Sequence, residues 1–352
     1  MEKESGRSCK SNLRLLLLSV CLVNFVIVLS YYSAGNLGQN ATAIPDNDFM
    51  KEVENEVAKE EIIQPASTQI AEESICSRPI VSVQCGGRLG NRIWEYATAW
   101  AVAKMLNRTV FAPNEILDSL QPVFEKFQKR TSLEDIMKRC KITEKQLVLV
   151  NNIGSIETLA AKYPSQNILL RKYIVDHKVV YPYIQEFREE FRFRPEILQS
   201  ARETIALAGG DGKTLISIHV RRTDFSKYLP SRFNTSLVDS TYFKNAMQWY
   251  RMKLDGPLLF LVVSDDVKWC RKNLAKETSD VKIVSKGPAH DLAVMSLCNY
   301  SIIDYGTYGY SGAFFSKGTA VTLDVNKPLA NYMAEHAGWT VFSKEIQDLK
   351  IL

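Results

Sequence analysis

The sequence lacks the glycine patterns that identify the common nucleotide-binding folds. It contains no GxGxxG segment, and no well-placed acidic residue stands about 20 positions beyond a first glycine-rich turn, which argues against a dinucleotide-dependent oxidoreductase. The run Gly209–Thr214 fails as a phosphate-binding P-loop, because Leu207 occupies the place of its first glycine and the run leads from a helical pattern into a strand. The glycine patterns thus argue against two large classes of nucleotide-dependent enzyme.

Cysteine and paired carboxylates are also scarce. The chain has 7 cysteines in 352 residues and no CxxC pair, so the spacing does not suggest zinc. Its Asp-x-Asp segment, Asp46–Asp48, lies before the folded region and is interpreted as a chance match to a metal-binding motif. The sequence therefore predicts no metal site and no cofactor.

One long apolar run is present near the N-terminus. Leu15–Tyr32 contains only three polar interruptions and would form a helix of roughly 27 Å, long enough to cross a bilayer. Four basic residues precede it, so residues 1–14 are expected to be a cytoplasmic tail and residues 15–32 a type II signal-anchor. A cleavable signal peptide, with small residues at Ser33–Gly35, is the alternative, and it also sends the chain into the secretory lumen.

Residues 33–75 are a predicted acidic stem. They show no apolar periodicity, and 46–75 hold nine acidic residues against two lysines, a net charge of −7. Residues before 46 contribute +2, so the net charge of +5 for the chain leaves +10 from Cys76 onward. A basic domain favours an anionic ligand or simply has a basic surface, and charge does not decide between them.

A lumenal domain folds in an oxidising compartment, where disulfides form and asparagine residues are glycosylated. Its five cysteines cannot all pair with one another, and the pairing stays open among Cys76, Cys85, Cys140, Cys270 and Cys298. Four Asn-x-Ser/Thr acceptors occur, at Asn40, Asn107, Asn234 and Asn299.

From Pro79 onward, short β-branched runs alternate with amphipathic segments, which is typical of an α/β fold with parallel strands. The predicted strands are 79–84, 109–111, 147–150, 214–220, 257–263, 281–284 and 301–304. The predicted helices are 91–106, 195–208, 242–254, 267–275 and 290–298. The glycine cluster 209–212 predicts a boundary between two Rossmann-like domains, 76–210 and 211–330, with 331–352 as a C-terminal segment. Such domains bind ligands in the cleft between them, at the carboxyl ends of strands.

The strongest local pattern is His219–Phe225, HVRRTDF, which directly follows an apolar strand. Alternation along the strand places His219 and Arg221 on one side and Arg222 on the other, so the two arginines leave in opposite directions. One guanidinium can bind a diphosphate while the other pairs with a carboxylate such as Asp224. The alternative is an exposed basic strand end, but the apolar strand before it favours a binding function.

Three further segments follow predicted strands. Gly86–Asn91, GGRLGN, lets the backbone approach a ligand closely, or is simply a tight turn before a helix. Ser264–Asp266 either caps the next helix or bonds a ribose or base edge. Gly306–Gly312, GTYGYSG, offers hydroxyl and N–H groups to phosphate oxygens.

These segments together resemble the family 11 glycosyltransferases, the α1,2-fucosyltransferases, over nearly all of residues 79–325. The resemblance rests on GGRLGN at 86–91, HVRRTDF at 219–225, VVSDDVKWC at 262–270 and DYGTYGYSGAF at 304–314. The HVRR segment is shared with α1,6-fucosyltransferases and protein O-fucosyltransferases, so it indicates the donor. GGRLGN and GTYGY indicate the family.

The resemblance implies a Golgi enzyme of GT-B-like architecture, in which residues 76–210 face the acceptor and residues 211–330 bind GDP-fucose. It implies inverting, metal-independent transfer of L-fucose from GDP-β-L-fucose to O2 of a terminal galactose on a glycoprotein or glycolipid, with no nucleic-acid partner. The implied catalytic residues are Arg221, which binds phosphate, Arg222 and Asp224. The other implied donor-binding residues are His219, Ser264, Asp265, Gly306, Thr307, Tyr308, Gly309 and Ser311. The acceptor-side candidates are Gly87, Asn91 and Glu95.

The chain departs from the commoner family pattern in ways that leave the donor unaffected and the acceptor and linkage in question. The departures are Arg92, Thr223, Phe225 and Ser311. Asp224 and Glu95 are both candidates for the general base, and the resemblance does not decide between them. A lumenal carbohydrate-binding protein without turnover is the alternative function, against which the intact Arg221 and Arg222 argue.

Overall fold

The computed structural model describes residues 75–276 and 278–343. The predicted cytoplasmic tail, the signal-anchor, the stem up to residue 74 and the glycosylation acceptor Asn40 lie outside the described residues. Within the described ranges, no helix is long and apolar enough to cross a membrane.

The first half of the described chain is built around a four-stranded parallel sheet. Its elements, in chain order, are β1 (Ile80–Val83), α1 (Leu89–Met105), β2 (Thr109–Val110), α2 (Asn114–Leu120), α3 (Leu133–Arg139), β3 (Leu147–Val150), α4 (Ile156–Lys162), β4 (Asn167–Leu170), α5 (His177–Val180), α6 (Ile184–Glu190) and α7 (Pro195–Leu207). The strand order is β2-β1-β4-β3. All four residues of β1 are buried, as expected for an inner strand covered by helices on both faces.

The second half holds a six-stranded parallel sheet in the order β10-β9-β8-β5-β6-β7. Its elements are β5 (Thr214–Val220), α8 (Phe225–Phe233), α9 (Ser240–Lys253), β6 (Leu258–Ser264), α10 (Val267–Asn273), β7 (Val281–Ile283), α11 (Pro288–Leu297), β8 (Tyr300–Ile303), α12 (Thr307–Phe315), β9 (Ala320–Leu323), α13 (Lys327–Ala337) and β10 (Thr340–Phe342). Because all strands are parallel, the carboxyl ends of β5, β6 and β8 lie side by side.

Successive residues along a strand of the second sheet point to opposite faces, so the two faces of the sheet belong to different apolar clusters. In β6, Leu259, Leu261 and Val263 join a cluster that also contains the core of the first half, including Val81 and Trp94. The intervening residues of β6 and the even-numbered residues Ile216, Ile218 and Val220 of β5 pack into a second cluster on the other face. One continuous apolar cluster therefore joins the two halves.

The prediction of an α/β fold with parallel strands is confirmed. All seven predicted strands are present within one or two residues of their predicted ends, but β4, β9 and β10 were not predicted. The sequence just before β4, PSQ at 164–166, looks like a loop, and it conceals the short strand that follows it. β10, which lies beyond residue 331, is an edge strand of the second sheet beside β9.

Candidate functional site

Polar side chains gather where β5, β6 and β8 end, opposite the first turn of α1. Arg221 and Arg222 follow β5, Asp265 follows β6 and Asp304 follows β8. The register pairs Ile218 with both Val262 and Ile302, so the sequence stretches that follow these strands are neighbours in space.

Arg221 is held by carboxylates from two different loops. Its Nη2 lies 2.6 Å from Asp224 Oδ1 and its Nη1 lies 2.8 Å from Asp265 Oδ2. Its backbone N–H donates to Asp304 Oδ2 at 2.6 Å, and its guanidinium lies 5.5 Å from the Phe225 ring centre. The side chain is 20% exposed, so the guanidinium is fixed by its neighbours yet open to a ligand.

Asp265 fixes the turn that presents Arg221. Its carboxylate accepts hydrogen bonds from the backbone N–H groups of Arg222, at 2.9 Å, and Thr223, at 3.2 Å, and from the Thr223 hydroxyl. Burial alone would raise the pKa of the Asp265 carboxyl, but the Thr223 and Arg222 hydrogen bonds and the charge of Arg221 hold that pKa below its ordinary value. The ionised carboxylate thus shapes the loop after β5.

Arg222 extends away from Arg221, as strand alternation predicts. Its guanidinium lies 3.9 Å from the centre of the Trp269 ring, its Nη1 donates to Val238 O at 3.2 Å and its Nε lies 3.7 Å from Asp266 Oδ2. Asp266 also caps α10 by accepting from the Trp269 N–H at 3.0 Å, and Ser264 Oγ accepts from the Asp266 N–H at 2.9 Å. Arg222 therefore joins the loop after β5 to α10.

A buried histidine and aspartate lie behind Arg221. His219 Nδ1 and Asp304 Oδ1 are 3.0 Å apart, and their exposed fractions are 4% and 2%. A Cβ atom at Gly309 would lie only 2.7 Å from His219 Nδ1, so only glycine allows α12 to pack this closely on the histidine. Since Asp304 also accepts from the Arg221 N–H, the pair connects α12 to the loop that presents Arg221.

The two glycine-rich segments meet each other although they are more than 200 residues apart in sequence. The Thr307 hydroxyl donates to Asn91 Oδ1 at 2.8 Å, and Trp94 Nε1 donates to the Thr307 carbonyl at 2.9 Å. A Cβ atom at Gly90 would lie 2.7 Å from the Tyr308 backbone nitrogen. The first turns of α1 and α12 therefore touch through their backbones.

The remaining predicted residues of these segments support the same contact. Gly87 and Gly306 adopt φ values of 63° and 87°, which favour glycine. Ser311 Oγ donates to the Thr307 carbonyl at 2.9 Å, and Tyr308 donates its hydroxyl hydrogen to the Pro288 carbonyl at 2.6 Å. Both side chains are occupied within the protein fold.

Glu95, by contrast, is buried below the loop after β1. Its exposed fraction is 0%, and its two oxygens accept from the backbone N–H groups of Gly86, at 3.0 Å, and Tyr173, at 2.8 Å. Burial raises the pKa of the Glu95 carboxyl to about 7. The side chain joins the loops after β1 and β4 and has no free oxygen facing the cleft.

Three residues of the site were not singled out from the sequence, although all lie in the quoted motifs. Asp304 and Trp269 are described above, and the third, Arg88, places its Nη2 3.9 Å from Asp224 Oδ2 with 77% of its side chain exposed. Arg88 belongs to the first half and Asp224 to the second, so this pair crosses between them. The order of strands in the sheet, which the sequence does not give, was needed to find all three.

The cysteines, carboxylates and sequons occupy other places. Cys76 and Cys140 form a disulfide, while Cys85, Cys270 and Cys298 are free thiols. Across residues 75–276 and 278–343, no group of three or more His, Cys, Asp or Glu side chains could hold a metal ion. Asn107, Asn234 and Asn299 are exposed.

Comparison with known proteins gives relatives over most of the chain. It is 28% identical to galactoside 2-alpha-L-fucosyltransferase SEC1 of Bos taurus, over 74% of this chain and 73% of the relative. It is 27% identical to galactoside alpha-(1,2)-fucosyltransferase 2 of Pongo pygmaeus, over 82% of this chain and 87% of the relative. Galactoside alpha-(1,2)-fucosyltransferase 1 of Rattus norvegicus is 27% identical, over 89% of this chain and 85% of the relative.

Solved structures with a similar arrangement have little sequence in common with this chain. POFUT1 in complex with GDP-fucose has a TM-score of 0.45 at 13% identity, over 68% of this chain and 94% of that one. NodZ α1,6-fucosyltransferase co-crystallised with GDP has a TM-score of 0.43 at 13% identity, over 68% and 93%.

The family model of glycosyl transferase family 11 matches residues 50–343, which includes every described residue from Ile75 to Ser343. The matched region contains both glycine-rich segments and the arginine-bearing loop after β5. This chain therefore belongs to glycosyl transferase family 11 and is a glycosyltransferase.

Proposed function

We propose that this chain transfers L-fucose from GDP-β-L-fucose to O2 of a terminal galactose on a glycan, with inversion at the fucose carbon and without a metal ion. Three relatives that are named galactoside 2-alpha- or alpha-(1,2)-fucosyltransferases support the transferred sugar and the linkage. The observation that carries the proposal is Arg221, a partly exposed arginine held by two carboxylates at the carboxyl end of β5.

The proposed reaction is a displacement at the anomeric carbon of fucose. The galactose hydroxyl attacks from the face opposite to GDP, the bond from carbon to the β-phosphate oxygen breaks, and its electron pair stays on the diphosphate. The products are the α-fucosyl galactoside, GDP and one proton. The charge that develops on the leaving diphosphate falls beside the Arg221 fork, which is already in position before the reaction.

Asp224 is the base that we assign to the acceptor hydroxyl. Its side chain is 49% exposed and ion-paired with Arg221, whereas both oxygens of Glu95 are occupied by backbone N–H groups. When the diphosphate binds the Arg221 guanidinium in place of Asp224, the Asp224 carboxylate has a free oxygen that can accept the proton of the acceptor hydroxyl. Arg88, which approaches Asp224 from the first half, helps to place this carboxylate.

The acceptor is assigned to the first half and the donor to the second, in a GT-B-like arrangement. We further propose that the chain is a single-pass type II protein of the Golgi membrane, anchored by residues 15–32. The disulfide between Cys76 and Cys140 supports an oxidising compartment. Protease protection of residues 75–343 in intact microsomes, with digestion once detergent is added, is the expected result for this orientation.

The test is transfer by the purified full-length chain from radiolabelled GDP-fucose to lactose. A lactose analogue with a 2-deoxygalactose is the matched control, because it keeps every acceptor hydroxyl except the proposed nucleophile. We expect transfer to lactose, release of the label by an α1,2-specific fucosidase, and no transfer to the analogue. Equal transfer to both acceptors would assign another linkage, and acceptor binding with no turnover would favour the carbohydrate-binding alternative.

Metal independence is tested in the same assay. Because Arg221 is the proposed counter-charge to the leaving diphosphate, activity in excess EDTA should equal that in buffer alone. Loss of transfer in EDTA with recovery on adding Mn²⁺ or Mg²⁺ would contradict this part of the proposal.

A further inference from the structure

An open depression of about 690 Å³ lies on the first half, formed by a different part of the chain from the loops around Arg221. Six side chains line it: Lys129, Arg130, Thr131, Asp135, Lys138 and Arg139. Four of the six are cationic and one is a carboxylate, so the lining has a formal charge of +3. Such a concentration of like charge requires an explanation, because the cations repel one another.

The carboxylate of Asp135 hydrogen-bonds to a neighbouring residue at the start of α3. It accepts a hydrogen bond from the Ser132 hydroxyl at 2.8 Å, and the Ser132 Oγ in turn accepts from the Asp135 N–H at the start of α3. Among the described residues, Lys129, Lys138 and Arg139 form no ion pair, and all three are exposed. Their charges therefore face solvent without a protein partner in this part of the chain.

Arg130 differs from the other three cations because its place is fixed. It is paired with Glu190, which is only 6% exposed, and its guanidinium lies 5.5 Å and 5.2 Å from the ring centres of Tyr96 and Phe127. The depression thus has one arginine held rigidly at its wall and three exposed cationic side chains that are free to adjust around a ligand.

The backbone of Lys138 and Arg139 is restrained by a helix, a disulfide and a buried apolar residue. Lys138 and Arg139 occupy the last turn of α3, where the helix dipole favours positive charge. Cys140, the next residue, is tied to Cys76, and Ile136 on the same helix is 1% exposed in a small apolar cluster. Because the main chain is already restrained, it loses little conformational entropy when a ligand binds.

The lining chemistry selects among polyanions. Of the six residues none is aromatic or aliphatic, so there is no aromatic ring on which nucleic-acid bases could stack and no apolar side chain to enter a lipid layer. Arginine and lysine heads with a threonine hydroxyl match a ligand that carries several sulfate groups and hydroxyls. We infer that this depression binds a sulfated glycan chain, independently of fucosyl transfer.

The test is the affinity of the purified full-length chain for a size-defined heparin hexasaccharide, measured by calorimetry at physiological ionic strength. Replacing both Lys138 and Arg139 by alanine removes two exposed contacts, and we expect the affinity to fall about tenfold. Binding should also weaken steeply as salt rises, since exposed charges are screened. The transfer assay is run on the same variant and should be unchanged, because neither residue belongs to the proposed reaction.

Arg271→Ala with Lys272→Ala is the matched control, because this exposed Arg–Lys pair also occupies the last turn of a seven-residue helix, α10. It removes the same charge and should leave the affinity unchanged, and thermal melts check that both double variants fold. The inference is overturned if the wild type does not bind the hexasaccharide, or if the control pair loses as much affinity. It is also overturned if desulfated hexasaccharide, a single-stranded oligonucleotide or phosphatidylserine vesicles bind equally well.

Discussion

Arg221 and Arg222 are neighbours in sequence whose side chains have different surroundings. Arg221 is paired with two carboxylates at the open strand end, whereas the Arg222 guanidinium lies 3.9 Å from the Trp269 ring centre and donates to the Val238 carbonyl. The first arrangement leaves part of a fixed guanidinium available to a ligand, and the second joins a loop to a helix. Substitution of the two residues should therefore change different measured quantities.

Arg221→Lys keeps the charge but loses the planar fork, so we expect turnover to fall by roughly two to three powers of ten. Arg221→Ala should be at least as severe. The measurement is fucose transfer by the wild type and each variant, with thermal melts alongside. Arg222→Ala is the comparison variant and should mainly lower the melting temperature. Near-normal turnover in a folded Arg221→Ala protein would remove Arg221 from the reaction.

Glu95 should make folding stability depend on pH in a direction opposite to that of an ion-paired carboxylate, whose pKa is lowered in the folded state. Burial raises its pKa from 4.5 to about 7, so the folded state holds the proton more tightly than the unfolded state. Stability from this group is then present below pH 4.5 and is lost as pH rises toward 7. The expected fall in the free energy of unfolding across that window is about 3 kcal/mol.

Chemical denaturation at pH 4.5, 5.5, 6.5 and 7.5 measures the pH-dependent part of the free energy of unfolding that Glu95 contributes. This part should change between pH 4.5 and about 7, the two pKa values of the group. The Glu95→Gln variant has no titrating group at this position, so its stability should lack this pH-dependent component. The variant should also be less stable than the wild type at low pH, because an amide nitrogen cannot accept a hydrogen bond from a backbone N–H. Glu144→Gln, at an exposed position, is the control. The same pH profile in wild type and Glu95→Gln would show that another group titrates.

At the scale of elements, α1 and α12 determine how closely the two glycine-rich segments approach. Gly90 faces the Tyr308 backbone, where a Cβ atom would come within 2.7 Å, and backbone atoms cannot move aside as a flexible side chain can. The Thr307 hydroxyl and the Trp94 N–H add hydrogen bonds across the same contact. A change at Gly90 should therefore shift one helix relative to the other.

Gly90→Ala lies inside a helix, where alanine is ordinarily favoured by about 1 kcal/mol. Here we expect the opposite sign, a loss of about 1 to 3 kcal/mol in stability with reduced transfer, because the new methyl group overlaps the Tyr308 backbone. Gly312→Ala is the matched variant, since its Cβ would meet the mobile end of Met295, 2.1 Å from Cε. It should cost less and preserve more activity. Equal melting temperatures for Gly90→Ala and wild type would contradict the close approach.

The elements that could be predicted from the sequence are those with a strong local pattern. The seven-residue apolar strands β5 and β6 and the opposite directions of Arg221 and Arg222 follow from alternation alone. Strand length alone does not decide which strands could be predicted, because the predicted strands β2 and β7 are as short as β4 and β10. β4 directly follows the loop-like segment PSQ at 164–166, which conceals it. The pairing of Asp304 with His219 depends on β8 lying beside β5, and the sealed position of Glu95 depends on the loop at Tyr173; both are long-range facts that no local pattern contains.

At the scale of the whole molecule, one apolar cluster spans both halves of the described chain, and a disulfide lies near the start of that chain. The cluster that contains Val81 and Trp94 also contains Leu259 and Met295, so the two halves share their interior. Close to the beginning of the described residues, Ile75 packs beside Ile80 and Ile136, and Cys76 is bonded to Cys140. This cross-link lies close to the first described residue, and it sets the limit that we predict for shortening the N-terminus.

A chain that begins at Glu73 behind a cleavable signal peptide should be secreted in soluble form and remain active, because the segment removed lies before both Ile75 and Cys76. A chain that begins at Ser77 lacks the disulfide, which spans a sequence separation of 64 residues. Loss of a cross-link over such a loop costs about 4 kcal/mol in the chain-entropy description. We therefore expect a markedly lower melting temperature for the second chain.

Two cysteine variants of the chain beginning at Glu73 separate the disulfide from the missing residues. Cys76→Ala should lower the melting temperature as much as starting at Ser77 does, and dithiothreitol should have no further effect on it. Cys85→Ala, which removes a free thiol, should melt like its parent and remain sensitive to the reductant. If Cys76→Ala melts with its parent, the cross-link does not stabilise the fold. If activity instead disappears when residues 1–72 are removed, the folded enzyme begins earlier than Ile75 and the stem is part of it.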